Sequence, residues 1–160
     1  MFVRIKTIKG RKYAYQVQNE WTPWGSRQKV TKYLGKTHFP KKVSHEEVDL
    51  PTGFSETIGK AVEQELLNHG FTRQGNDFVR EDVTVSISDK KVRQGKRSVV
   101  LAMNEGYMCE DTITQLHAFE MLERPDASAK KLASLALEAG LKLSDGQFVH
   151  LFEQVKDDST

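Results

Sequence analysis

The sequence predicts an α+β fold: a small three-stranded antiparallel β module at the N-terminus, then an antiparallel sheet with helices packed on one side and a helical C-terminus. Three observations predict it. Apolar and polar residues alternate with the two-residue period of a strand over the first 36 residues. The middle of the chain has the pattern of one helix followed by four short strands, an order that favours such a sheet. The last third contains two Ser/Thr-to-Gln spacings that are typical of helix starts.

Three alternating segments predict the N-terminal module. Residues 2–8 and 13–18 place β-branched and aromatic side chains at every second position, and Gly10 allows a tight turn between them. The Pro- and Gly-containing segment 21–26 interrupts the pattern, and residues 27–34 form the third strand. Because a three-stranded sheet is barely stable alone, we expect the module to dock on the rest of the chain or on a partner.

The next part of the chain predicts a connector, a helix and four strands. Residues 37–54 contain two prolines and little periodicity, which is typical of a connector. Ser55 is a good helix N-cap, and Gly70 is a typical stop signal for the same helix. The strands that follow are predicted at residues 71–73, 78–80, 83–87 and 98–103, with the charged segment 89–97 as a loop.

Three further helices complete the prediction. Thr112 and Gln115 have capping-box spacing, and Pro125 ends the helix that they begin. An Ala- and Leu-rich helix follows over residues 127–139, and Ser144 with Gln147 begins the last one. The predicted organisation is a basic β module (1–36), a connector (37–54), an α+β domain (55–156) and a frayed tail (157–160).

Composition excludes several classes of protein. The longest apolar run, residues 99–103, is far too short to cross a bilayer, so we expect no membrane partner. The N-terminus alternates charged and apolar residues and lacks the apolar core of a signal peptide. The single cysteine, Cys109, excludes an internal disulfide and any zinc site made of several cysteines. These features predict a cytoplasmic protein of a prokaryotic cell.

The net charge of +2 conceals two oppositely charged parts of the chain. Residues 1–45 contain eleven Lys and Arg against one acidic residue, Glu20. Residues 46–160 contain thirteen Lys and Arg against twenty-one Asp and Glu. A dense cationic surface attracts phosphate, so this asymmetry indicates a nucleic-acid partner.

Aromatic residues accompany these cations, since seven of the fourteen lie in residues 1–45. Cations neutralise phosphates and aromatic rings stack on unpaired bases, which slightly favours RNA or a ribonucleoprotein over DNA. The predicted nucleic-acid-binding residues are Lys9, Arg11, Lys12, Trp21, Trp24, Arg27, Lys29, Lys32, Tyr33 and Lys36.

Blander alternatives stay open for the same residues. Tyr13, Tyr15 and Val17 would then pack the core of the sheet while the lysines only solubilise its outer face. Alternatively, an acidic partner would dock on the cations, either another protein or the acidic part of the chain itself. Trp21 and Trp24 either form an exposed contact surface, or one of them closes the open end of the sheet.

A second basic cluster lies within the acidic part of the chain. Its cations either contact phosphate or prevent edge-to-edge pairing of strands, as charged hairpin tips ordinarily do. The members of this possible second patch are Lys90, Lys91, Arg93, Lys96 and Arg97.

Patterns for catalysis are weak. Cys109 and His117 would make a nucleophile and base, but Glu110 and Asp111 oppose a thiolate. The five histidines have no Cys or acidic partner at metal-ligand spacing, and no glycine-rich phosphate loop exists. We therefore expect no catalytic residue, no metal and no cofactor.

One resemblance is carried by Phe2-Val-Arg-Ile, Gly10-Arg-Lys-Tyr-Ala-Tyr and the segment from Arg27 to Gly35. These residues resemble the short β-rich N-terminal segment of some insertion-sequence transposases and of uncharacterised archaeal proteins. The resemblance implies DNA contacts for Arg11, Lys12, Arg27, Lys29 and Lys32. It does not extend to transposase catalysis, because the remaining 124 residues lack the pattern of that catalytic domain.

The sequence as a whole predicts a non-catalytic nucleic-acid-binding protein that uses its basic, aromatic β module. The first alternative is an adaptor whose acidic α+β domain recruits a protein partner. The second is a metal-dependent nuclease or processing enzyme, with Glu105, Glu110 and Asp111 as its carboxylates.

Overall fold

The α+β class is confirmed by a computed structural model that describes residues 2–158, with side chains through residue 156. Nine strands and four helices lie within those residues. The strands are β1 (Phe2–Ile8), β2 (Arg11–Thr22), β3 (Gly25–His38), β4 (Thr72–Gln74), β5 (Asp77–Arg80), β6 (Val83–Ser86), β7 (Lys91–Gln94), β8 (Arg97–Met103) and β9 (Gly106–Met108). The helices are α1 (Phe54–Asn68), α2 (Glu110–His117), α3 (Pro125–Glu138) and α4 (Asp145–Asp158). None of these helices is long and apolar enough to span a membrane.

The strands form one mixed sheet in the order β1-β2-β3-β8-β7-β6-β5-β4, with β9 paired to β8. The N-terminal antiparallel meander is confirmed, but a wholly antiparallel sheet is wrong. Strand β3 continues to His38 rather than ending at residue 34, and residues 36–38 pair in parallel with residues 99–101 of β8. The sequence could not reveal this pairing, because it joins segments about 60 residues apart.

Two groups of buried side chains hold the sheet. The larger core joins alternating residues of β6 and β8, such as Val85 and Leu101, to side chains from all four helices. The smaller core consists of Ala14, Leu34, Val100 and Cys109, with Val3, Ile5 and Tyr107 packed against it. Because Ala14 and Leu34 belong to β2 and β3, this smaller core covers one face of the N-terminal strands.

Some local predictions are wrong because a charged segment or a proline was assigned the wrong structural role. Residues 91–94 form β7 within the segment predicted as a charged loop. Helix α2 ends at His117, and Pro125 is the first residue of α3, where its missing N–H group is no loss. The Ser144–Gln147 capping box is confirmed, since each backbone N–H donates to the other side chain at 3.2 and 3.1 Å. Helix α4 continues into the predicted frayed tail as far as Asp158, and residues 159–160 lie outside the described part.

Gly35 lies where the N-terminal strands meet β8. Its φ of 134° is in the region that favours glycine, and a Cβ atom there would overlap the carbonyl oxygen of Ser98. Gly75 has a positive φ of 65° as well, but nothing lies within 4 Å of its Cβ position.

Gly35→Ala should therefore destabilise the protein more than Gly75→Ala. The control loses about 1 kcal/mol of unfolding free energy from backbone strain alone, and Gly35→Ala loses at least about 2 kcal/mol more, because β3 must move away from β8. Urea unfolding followed by circular dichroism measures the difference. Equal losses would contradict close packing at this junction.

Candidate nucleic-acid interface

Three tyrosines lie side by side on the N-terminal strands. Tyr13 and Tyr15 belong to β2 and Tyr33 to β3. The ring centroid of Tyr33 lies 5.2 Å from that of Tyr15 and 6.4 Å from that of Tyr13. Tyr33 is 53% exposed, and the other two rings are half-buried. We call this surface the tyrosine face.

The alternation of β2 explains why these rings face solvent. Successive side chains of a strand point to opposite faces, so burial of Ala14 in the smaller core directs Tyr13 and Tyr15 the other way. Leu34 fixes the orientation of the neighbouring Tyr33 in the same manner. Tyr13 and Tyr15 are therefore half-buried and lie outside the smaller core, whereas Val17, which follows them on the same face, is buried. The packing alternative thus holds for Val17 and in part for the two tyrosines.

Four cations border the tyrosine face. Lys6 and Arg4 of β1 are directly opposite Tyr13 and Tyr15 in register, and the Lys6 ammonium lies 5.1 Å from the centroid of the Tyr15 ring. Lys36 pairs with Tyr13 on the β3 side. The fourth cation, Arg97 of β8, is close enough to act on the hydroxyl of Tyr33.

The pKa of Tyr33 reports this environment. Burial raises the pKa of the phenol above its ordinary value, and Tyr15 and Tyr13 raise it further, whereas the positive charge of Arg97 lowers it. The ring is thus a neutral, partly desolvated surface that is bordered by positive charge.

Other predicted cations lie on the opposite face of the same strands. Lys29 and Lys32 pair with Gln18 and Gln16, which alternate with the tyrosine side of β2. The Lys32 ammonium donates to Asp111 at 2.9 Å, and this hydrogen bond raises the pKa of Lys32. The structure therefore separates Lys29 and Lys32 from Tyr33, although the sequence grouped them in one surface.

The remaining predicted residues lie at the ends of the hairpins. Lys9 is in the β1–β2 turn, Arg11 and Lys12 begin β2, and the Lys12 ammonium lies 5.3 Å from the ring centroid of Phe39. Arg27 forms an exposed ion pair of 3.8 Å with Glu20 near the β2–β3 turn.

Both tryptophans are exposed at the β2–β3 turn. Trp21 is 85% exposed and Trp24 is 93% exposed, so neither closes the end of the sheet. The interruption predicted at residues 21–26 is only a two-residue turn, Pro23-Trp24, between two long strands. The Thr22 hydroxyl holds it by donating to the Gly25 carbonyl at 2.7 Å and accepting from the Trp24 N–H at 3.3 Å.

The possible second patch is spread over β7 and both of its ends, with Lys91 and Arg93 within the strand on the face opposite buried Val92. Lys90 precedes β7 and is near His117, since its charge helps to lower the pKa of that imidazole after the larger effect of burial. Lys96 and Arg97 follow β7, and Arg97 borders the tyrosine face. The five cations thus do not form one surface, and Arg97 is the member that joins the first site.

The residues considered for catalysis have separate partners. The Sγ atom of buried Cys109 lies 3.6 Å from the Thr112 hydroxyl, and burial raises the pKa of the thiol. His117 Nδ1 lies 2.9 Å from the Ser55 hydroxyl. Among the side chains that the structure describes, residues 2–156, no three of His, Cys, Asp or Glu are placed to share a metal ion.

The chain matches no known protein-family model, no curated protein and no solved structure. The resemblance of its first 36 residues to the transposase segment therefore stays a prediction.

Sequence reasoning missed four members of the tyrosine face as binding residues: Arg4, Lys6, Tyr13 and Tyr15. A signal for them was present in the alternation itself. A small apolar residue, Ala14, between two tyrosines fits a closely packed face better than the bulky rings do, and Arg4 and Lys6 alternate with Val3 and Ile5. No local sequence pattern indicated that Arg97 lies beside the tyrosine face.

The pKa of the Tyr33 hydroxyl tests whether Arg97 borders the tyrosine face. Arg97→Gln removes the positive charge that lowers the pKa of Tyr33, so that pKa should rise. A pH titration of tyrosine ring ¹³C resonances measures it. Arg73→Gln, an exposed cation on β4, is the matched control and should leave the Tyr33 pKa unchanged. An unchanged value in Arg97→Gln would contradict the arrangement.

Proposed function

We propose that this protein is a non-catalytic nucleic-acid-binding protein that holds unpaired bases on its tyrosine face. The observation that carries the proposal is the exposed group of Tyr13, Tyr15 and Tyr33, with ring centroids 5.2 and 6.4 Å apart and cations on its borders.

The chemistry of such a face suits single strands. Aromatic rings stack on every base because each base has a π-face, and each stacked base contributes about 1–3 kcal/mol. Arg4, Lys36 and Arg97 stand beside the rings, where the sugar–phosphate backbone of a stacked strand would run, and Lys6 lies over the Tyr15 ring. Cations there neutralise phosphates and release counterions.

Partial burial of the tyrosine rings favours binding of a base. Two of the three rings are half-buried, so little conformational freedom is lost when a base stacks on them. The Lys6 ammonium already lies over the Tyr15 ring, and a bound strand would exchange this cation–π contact for a phosphate contact. The Lys6 side chain must therefore move when a base stacks on Tyr15, while the half-buried rings stay in place.

Replacement of two rings tests the stacking. Tyr15→Leu/Tyr33→Leu keeps apolar bulk on the sheet and should preserve the fold, which circular dichroism checks. Affinity for a fluorescein-labelled single strand of about 12 nucleotides should fall at least about tenfold, because stacking is lost for one or two bases. Fluorescence anisotropy with RNA and DNA strands measures it. An unchanged affinity would contradict the proposal.

A pair of lysine variants tests which face binds. Lys36→Ala and Lys29→Ala each remove one exposed cation from β3, from opposite faces. Only Lys36→Ala should weaken single-strand binding and reduce the salt dependence, whose log–log slope should be about −3 for four phosphate contacts. A flat salt response, or a larger effect of Lys29→Ala, would refute the proposed face.

A further inference from the structure

The β2–β3 hairpin continues beyond the tyrosine face as a two-stranded arm, residues 18–29. Every side chain in it is exposed except for the half-buried Thr22, so no other part of the described chain covers either face of the arm. Trp21 is six residues from Tyr15 along β2, which places the tip about 20 Å from the tyrosine face.

The arm is preformed rather than loose. Its strands pair without interruption from Gln18↔Lys29 to Thr22↔Gly25. The Glu20–Arg27 ion pair and the two hydrogen bonds of Thr22 brace it near the tip. The backbone that carries the two indoles is therefore fixed, and both rings stay in solvent although burying such rings is ordinarily favourable.

The side chains along the arm are of types that recognise base edges. Asn19 and Gln28 are paired on the face that continues the tyrosine face, and Arg4 donates a hydrogen bond to the Gln28 side-chain carbonyl. Lys29 and Arg27 lie on the other face. Amide side chains bond adenine bidentately, and Lys and Arg bond guanine or phosphate.

We infer that this arm enters the major groove of a B-form DNA duplex next to the unpaired bases on the tyrosine face. The inference rests on the proposed function and names its substrate class: DNA with a junction between a single strand and a duplex. The major groove of B-form DNA, about 12 Å wide, admits a two-stranded β ribbon. The deep, narrow major groove of A-form RNA excludes one.

The position of the indoles fits this occupant. At the tip they would reach the floor of the groove, where thymine methyl groups offer apolar contacts. Lys29, on the arm's other face, would meet a phosphate at the groove wall, whereas Arg27 on that face is already paired with Glu20. The arm and the tyrosine face would then bind one continuous ligand, since they share one surface of β2 and β3.

The tryptophans themselves provide the test. Trp21 and Trp24 are the only tryptophans of the chain, so intrinsic tryptophan fluorescence reports on the arm alone. We would titrate the full-length protein with three unlabelled ligands. These are a DNA single strand, the same strand with half of its length annealed to a complementary strand, and the RNA version of that junction. Anisotropy of labelled copies of each oligonucleotide gives the affinities in parallel.

The junction DNA should bind at least about tenfold more tightly than the single strand, a gain typical of one or two specific base contacts, and should change the tryptophan emission. The single strand and the RNA junction should bind without changing that emission. Trp21→Ala/Trp24→Ala should remove the junction's advantage, Asn19→Ala should reduce it, and both should keep the single-strand affinity. Lys130→Ala, an exposed lysine of α3, is the matched control and should change neither.

Other outcomes overturn the inference in distinguishable ways. Equal affinity for junction and single strand with unchanged emission refutes the arm's role and leaves the tyrosine face in place, whereas no binding of any oligonucleotide refutes the proposed function as well. A dimer that sedimentation detects and that the tryptophan variant dissociates would assign the tip to a second copy of this chain. An emission change with phosphatidylglycerol vesicles but not with junction DNA would assign it to a membrane surface.

Discussion

The burial of Ala14 and Leu34 in the smaller core is the constraint on which the rest of the molecule depends. Ala14 and Leu34 pack against Val100 and Cys109 in the smaller core. Because strand side chains alternate, that burial turns Tyr13, Tyr15 and Tyr33 outward together. A slip of one residue in β2 would bury the tyrosines and expose Ala14, which would remove the proposed binding surface.

The parallel pairing of β3 with β8 completes the surface. It brings residues 36–38 beside residues 99–101, and Gly35 permits the close approach to Ser98. As a result Arg97, at the start of β8, stands near the hydroxyl of Tyr33. The cations of the proposed site thus come from both the basic and the acidic part of the chain, and the charge asymmetry of the sequence describes it only in part.

Local patterns predicted the local features of the fold. The alternation in residues 2–8 and 83–87 predicted strands that exist, and Ser144 with Gln147 predicted a capping box that forms. Strand β7 was not predicted because charged residues are frequent in it. The strand forms because it pairs with β6 on one side and β8 on the other. The parallel β3–β8 contact escaped because no local signal encodes contact between distant segments.

The sequence predicted which types of residue form the proposed binding surface. It did not predict which face of the sheet each residue occupies. The sequence indicated cations with aromatics, yet Lys29 and Lys32 lie opposite Tyr33. They share a face, although three residues apart, because a register shift between Gln16 and Val17 inserts one extra residue in β3. Such irregularities follow from packing and have no simple sequence signature.

We propose that unpaired bases bind to the tyrosine face and not to the opposite face of the same strands. Nuclear magnetic resonance mapping of the full-length protein during titration with a short single strand tests it most directly. The account predicts large ring-current shifts at Tyr13, Tyr15 and Tyr33 and small ones at Gln18 and Lys29. The reverse pattern, or tyrosine resonances that do not move while the strand binds, would contradict it.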